Sequence, residues 1–200
     1  MLKYLDFSAM DSKDVHKVLI GSVIPRPIAL VLSKGKEGVI NVAPFSHFNL
    51  AASDPAVISL GINRVESKSK DTARNILQQK EFVVHIITRD ILVDANETAA
   101  SLSPDESELK KTSFHLTDAK WLNLPVIQEA KIVLECKLLK HTKIKEGKAI
   151  KVDFFLANVV GMHVADDVYQ DGKIVYDKLD PIGRLAGQDY TTLGEIISLK

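Results

Sequence analysis

Apolar positions in this chain fall in short runs separated by turn-forming residues, the pattern of β-strands rather than of long helices. Residues 28–32, 56–62 and 81–88 read as strands, and a Gly35-Lys36-Glu37-Gly38 turn leads from the first of them into another at 39–43. Two longer strand candidates, 130–145 and 148–164, are joined by a turn at Glu146-Gly147. Helical spacing is confined to four stretches: 15–19 after a cap at Asp11 or Ser12, 71–79 after Ser69 or Lys70, 91–100, and 104–110. Pro25-Arg26-Pro27 forces an extended entry into the first strand. The tail from Asp180 has no strong period. Many strands, tight turns and few helices predict a β-rich fold, a barrel or antiparallel sheet with flanking helices. No G-x-G-x-x-G follows a strand and no Walker motif is present, which argues against a dinucleotide-binding parallel sheet.

Composition narrows the function classes. The 200 residues are 46% hydrophobic, enough for a substantial core, and no linker divides them, so one domain over 1–200 is expected. Basic and acidic residues balance at 26 each. A nucleic-acid binder needs a basic face to displace counterions, so that class is disfavoured and any anionic ligand must be held by a local cluster. Cys136 is the single cysteine, so no intrachain disulfide can form. It lies in a strand-like run and reads as a small buried hydrophobe. The first residues carry no apolar signal segment, and no apolar run approaches the roughly 20 residues a membrane helix needs. A soluble, cytoplasmic protein is expected.

Three segments carry candidate chemistry. Ser67-Lys68-Ser69-Lys70-Asp71-Thr72 gathers two ammonium groups and three hydroxyls where a helix begins. Free N–H groups and the positive dipole end make such a place suited to phosphate, with Lys68 and Lys70 adding charge. Taken alone it reads first as a solvated loop with Ser69 or Asp71 as an N-cap. Asn41-Val42-Ala43-Pro44-Phe45-Ser46-His47-Phe48-Asn49 starts as a strand whose ladder Pro44 is expected to break. Small, polar and aromatic groups crowd there as in a wall for a flat heteroaromatic ring, or as in a bulged edge strand with two core phenylalanines. Arg26, held between two prolines, is either a rigidly aimed ligand contact or a surface arginine in a stiff loop.

Taken in order, these segments resemble the flavin reductase-like family, which includes flavoredoxin-type proteins. The resemblance runs through Ser22-Val23-Ile24-Pro25-Arg26-Pro27-Ile28-Ala29, Asn41-Val42-Ala43-Pro44-Phe45-Ser46, Lys70-Asp71-Thr72 with Asn75-Ile76, and Glu81-Phe82-Val83-Val84. It returns at Asn158-Val159-Val160-Gly161-Met162-His163-Val164 and at Asp180-Pro181-Ile182-Gly183-Arg184-Leu185-Ala186-Gly187. It implies a Greek-key FMN-binding split barrel and a homodimer with the tail from about 180 at the subunit interface. Ser67, Ser69, Lys70, Asp71 and Thr72 would then hold the FMN phosphate. Asn41, Val42, Ala43, Pro44, Phe45 and Ser46 would run along the ring, with Arg26 and Arg184 as further contacts. No metal is implied.

His163 has two readings: a group near flavin and nicotinamide by the same resemblance, or a partly buried histidine satisfied by a neighbouring backbone group. His47 is expected to stack or pack, and Tyr190 to pack against a partner subunit or lie on the surface. His85 and His141 show no metal-ligand spacing. Three functions follow for comparison: an oxidoreductase passing electrons from NAD(P)H to a flavin or protein acceptor, an FMN electron carrier serving redox proteins, and a barrel that stores a ligand without chemistry.

Overall fold

The computed structural model describes residues 1–100, 102 and 106–199. Its body is a seven-stranded sheet in which each strand runs antiparallel to its neighbours. The strands are β1 (Ala29–Lys34), β2 (Ile40–Phe45), β3 (Phe48–Ser53), β4 (Ala56–Asn63), β5 (Glu81–Ile86), β8 (Ile132–Glu146) and β9 (Ala149–Val164), with a small hairpin of β6 (Leu116–Asp118) and β7 (Pro125–Ile127) outside the sheet. Their order across the sheet is β2-β1-β5-β8-β9-β4-β3. β2 and β3 thus form the two edges, yet only Ser46 and His47 separate them in the chain. Two residues cannot span a flat sheet of seven strands about 4.8 Å apart, so the sheet must curl until its edges meet. The Gly61 N–H donating to the His47 carbonyl at 2.7 Å fastens this junction to β4. The result is the split barrel with flanking helices expected from the sequence.

The barrel interior takes alternate residues of each strand: Ala29 and Val31 from β1, Phe82 and Val84 from β5, Phe155 and Ala157 from β9. Helix α2 (Asp71–Gln79) closes one end by inserting Ala73 and Ile76 into that cluster. β1 and β5 are also covered on their outer face. Leu30, Leu32 and Val83 pack there against Ala95 of helix α3 (Leu92–Glu97) and Ile91 just before it, and against Val126 and Ile127 of the small hairpin. Burial on both faces explains the unbroken apolar run of β1. Helix α1 (Ser12–Ser22) starts at Asp11, whose carboxylate accepts from the Lys13 N–H at 2.8 Å, and buries no residue fully. The helix expected over 91–100 stops at Glu97. Residues 104 and 105 of the one expected over 104–110 lie outside the described residues, and its described part is a short 3-10 turn, Glu108–Lys111.

Pro44 departs from expectation. It stays inside β2, paired with Leu30 of β1. By strand alternation its nitrogen faces the open edge, where no ladder bond is lost. Cys136 is fully buried in the interior cluster, and its burial raises the thiol pKa, as suits an inert core residue.

His85 occupies the outer face of β5 and is fully buried. Its Nε2 accepts the Ile127 N–H at 2.9 Å, so its Nδ1 must carry the proton that meets the Leu30 carbonyl at 3.0 Å. Burial outweighs the Leu30 bond, which works in the other direction, and with the His163 charge moves the pKa down to about 4 from 6.5. The unfolded chain therefore takes up this proton as the pH falls below 6.5, whereas the folded chain does so only near 4. Stability should drop by about 2 kcal/mol between pH 7 and pH 5 from this residue alone. Urea unfolding at the two pH values, on the native chain and on His85→Gln, checks this. An equal drop in both would rule out His85 as its source.

Candidate functional site

The site is built where β4 hands over to α2. Arg64, just past β4, forms a bidentate pair with Asp153 of β9, both bonds 2.8 Å long. Asp153 is the acid at an inward-facing position of β9 and has no exposure. It also accepts from the Ser69 hydroxyl at 2.9 Å and meets His141 Nε2 at 2.9 Å, with the His141 ring stacked on Phe155. Burial by itself would raise the Asp153 pKa, but the bonds from Arg64, His141 and Ser69 outweigh it and hold the carboxyl below its ordinary value. Between these anchors the chain makes a tight reversal. Val65 and Lys68 exchange backbone hydrogen bonds of 3.2 and 2.8 Å across Glu66 and Ser67, which both have positive φ (49° and 63°). Neither is glycine, so this turn is held against a steric cost by its surroundings, including the Arg64 guanidinium on the Ser67 carbonyl at 2.9 Å.

α2 then begins at Lys70, with extended backbone and no side-chain cap. Among the described residues no side chain caps its first turn, and free N–H groups with the positive dipole end are a setting that favours an anion. Thr72 follows, almost fully buried, and its hydroxyl oxygen accepts from Asn41 Nδ2 at 2.9 Å. That leaves the Thr72 hydroxyl proton free to donate. The Lys70 ammonium stands 5.8 Å above the Phe45 ring, and the Asp71 carboxylate is tied to Arg74.

Three cavities of about 250, 220 and 230 Å³ meet along the outer edge of β2, and all three are lined by Pro44. One holds Asn41, Ala43, Lys70, Asp71, Thr72 and Glu108. A second holds Arg26, Phe45, Ser46, Lys70 and Arg184, with His16 and Ile20 of α1 as its roof. The third holds Ser46, Arg184, Asn96 and Tyr190 among apolar side chains. Together they form a groove with Lys70 and the start of α2 at one end and, beyond Ser46, a more enclosed cavity where Arg184 and Tyr190 meet apolar side chains. Arg184 is placed by a two-residue ladder, Gly183–Arg184 with Tyr190–Thr191, and its guanidinium lies 4.3 Å over the Tyr190 ring. The Tyr190 hydroxyl meets Asn96 Oδ1 at 3.1 Å, so this tyrosine packs within its own chain.

The structure gathers Arg26, Asn41, Ala43, Pro44, Phe45, Ser46, Lys70, Asp71, Thr72 and Arg184 around the groove. It does not bring the rest of the expected set there. The Val42 side chain points into the outer core. The Ser69 hydroxyl is held by Asp153, and Ser67 lies on the turn without lining any of the three cavities. His163 is satisfied by a carboxylate, with Nε2 2.6 Å from Glu135, and its ring meets Trp121 edge-on. Arg26 is a clamp as much as a contact. Its guanidinium donates to the carbonyls of Ile20, Val23 and Leu185 at 2.6–2.8 Å, tying α1 to the tail. Its Nε is buried without a partner among the described residues. Burial and the nearby Arg184 charge pull the Arg26 pKa down, a strain that an anionic or carbonyl-bearing ligand would relieve. His16, Glu108 and the anchor Asp153 were not singled out from the sequence. For Asp153 a signal existed, an acid in phase with the inward Phe155 and Ala157.

Among the described residues no helix is long and apolar enough to cross a membrane, and no cluster of three or more potential metal ligands occurs.

The chain is similar to known proteins in sequence and in fold. The family model described as flavin reductase like domain matches residues 20–179. Protein YwrF of Bacillus subtilis (strain 168), of uncharacterised function, is 45% identical over 95% of this chain and 94% of its own length. Among solved structures, nitrilotriacetate monooxygenase component B from Bacillus cereus superposes with a TM-score of 0.97 at 38% identity, covering 100% of this chain and 99% of that one. The 2-nitrobenzoate 2-nitroreductase NbaA of Pseudomonas fluorescens follows with a TM-score of 0.89 at 28% identity, covering 99% and 95%. A split-barrel protein from Shewanella frigidimarina NCIMB 400, 19% identical with a TM-score of 0.82 over 96% and 94%, shares the fold alone.

Proposed function

Because the chain belongs to the flavin reductase-like domain family, we propose that it is an FMN-binding oxidoreductase that takes electrons from NAD(P)H and passes them to a flavin or protein acceptor. The observation that carries this reading is the groove along β2, which joins a helix start with no side-chain cap among the described residues to an enclosed, partly apolar cavity at Ser46, Arg184 and Tyr190. A mononucleotide with a ring at one end and a phosphate at the other asks for that division. The residues fit such a group. Lys70, Thr72 and the first N–H groups of α2 would hold the phosphate by charge-assisted hydrogen bonds. Asn41 fixes Thr72, and the Asp153 network fixes the turn before them. Ser46 and the Arg26 side chain would lie toward the polar edge of the ring, with Arg184 stacked on Tyr190 beside it. Flavin bound there supplies the electron-accepting ring, and the protein supplies orientation and water exclusion. His163, committed to Glu135, plays no part in this reading.

We further infer a single domain acting as a homodimer. In its support, Leu193, Ile196 and Ile197 of the tail are exposed in one copy, and a second copy would cover them.

The test is anaerobic addition of NADH or NADPH to the FMN-loaded protein, followed by visible absorption. Bleaching within seconds by either nucleotide supports the reductase. A flavin that stays oxidised with both and bleaches only with dithionite contradicts it and makes the protein a carrier between redox partners.

A further inference from the structure

The groove contains an acid that neither phosphate nor ring contacts call for. Glu108 lies in the 3-10 turn that packs on the open edge of β2, and it is only 7% exposed. Its Oε2 accepts the Val42 N–H at 3.0 Å. Its other oxygen bonds no side chain among the described residues, and the residue lines the cavity shared with Asn41, Lys70 and Thr72. Burial raises the Glu108 pKa above the usual carboxylate value, with the Val42 bond and its own N–H working in the other direction. An acid is a poor neighbour for a phosphate and a good acceptor for hydroxyl protons.

Its position along β2 says which hydroxyls. Asn41, bonded to Thr72, marks the anion end, and Ser46 marks the start of the cavity read as the ring site. Glu108 meets β2 at Val42, between the two, and a strand advances about 3.3 Å per residue. The segment of a flavin mononucleotide that spans such an interval is its ribityl chain, which carries hydroxyls and no charge. We propose that Glu108 accepts hydrogen bonds from the ribityl hydroxyls and thereby selects flavins that carry a polyol side chain. This rests on reading the groove as the flavin site.

The test titrates flavin-free, full-length protein with FMN, riboflavin and lumiflavin, the last having a methyl group in place of the polyol, and follows flavin fluorescence. Glu108→Ala should weaken FMN and riboflavin at least about tenfold and leave lumiflavin unchanged, since a hydrogen bond to a charged group is worth that much. Glu108→Gln keeps the shape and one acceptor oxygen, and should weaken riboflavin several-fold with lumiflavin again unchanged. This second variant carries the test if the alanine variant does not fold. Equal losses for all three flavins, or no loss for any, would overturn the proposal and leave Glu108 as a cap on the β2 edge. Wild-type protein that binds none of the three would overturn the flavin site itself, and the Glu108 assignment with it.

Discussion

Asp153→Ala is expected to destabilise the folded chain by about 3–5 kcal/mol, the cost of leaving one partner of a buried ion pair uncompensated. The carboxylate is fully buried and holds Arg64, Ser69 and His141 at once. Its removal strands the Arg64 guanidinium, whose side chain is 12% exposed, and releases the turn before α2. For a chain of this length the change corresponds to a fall in melting temperature on the order of 10 °C. Acid should act in the same sense. Because the folded carboxyl titrates below 3.8, its contribution is present above that value and is lost as the pH falls beneath it. Thermal unfolding at neutral pH is the check, and a change of a degree or less would mean that Asp153 does not anchor the loop.

The second large effect concerns the anion end of the groove. Lys70→Ala with Thr72→Ala should weaken FMN binding at least about tenfold, and more than about a hundredfold if both contacts count fully, at roughly 1.5–3 kcal/mol for each charge-assisted bond. Riboflavin, which has the same ring and no phosphate, should bind as before. The two substitutions differ in structural cost. Lys70 is exposed, but Thr72 is 2% exposed and bonds Asn41, so its loss leaves the buried Asn41 amide short of a partner at roughly 1 kcal/mol. Thr72→Ser, which keeps the hydroxyl, separates that packing effect from phosphate contact. Equal weakening of riboflavin and FMN in the double variant would place the phosphate elsewhere.

Much of the frame was legible because local signals agreed with the fold. α2 runs from Asp71 to Gln79 as its spacing predicts, and the long β8–β9 hairpin reverses at Gly147-Lys148, one residue beyond the expected turn. Other features depended on knowing what lies across the sheet. Pro44 looked like a strand breaker because its missing N–H matters only in a central strand, and β2 is an edge. β3 went unread because its exposed stretch, Phe48–Ser53, buries only Phe48 fully and shows no alternation. Within the site, the segments 41–49 and 67–72 stood out by their residue chemistry, the resemblance gave 41–46, Lys70, Asp71 and Thr72 their roles, and most of these line one groove. The network behind them was hidden by distance. Asp153 and Arg64 are 89 positions apart, and so are less readable than the Asp71–Arg74 pair one helical turn apart. Ser69 illustrates the reverse error: a hydroxyl beside a helix start suggested a phosphate contact, and the buried carboxylate beneath it had the stronger claim.

The central claim is that one FMN lies along β2, its phosphate at the start of α2 and its ring beside Ser46 and Arg184. A crystal structure of the protein grown with FMN tests it most directly. The expected result is phosphate density within hydrogen-bonding reach of Lys70 and Thr72, with the ring against Pro44 and Ser46. Flavin density away from this groove, or a groove left empty at saturating FMN, would contradict it.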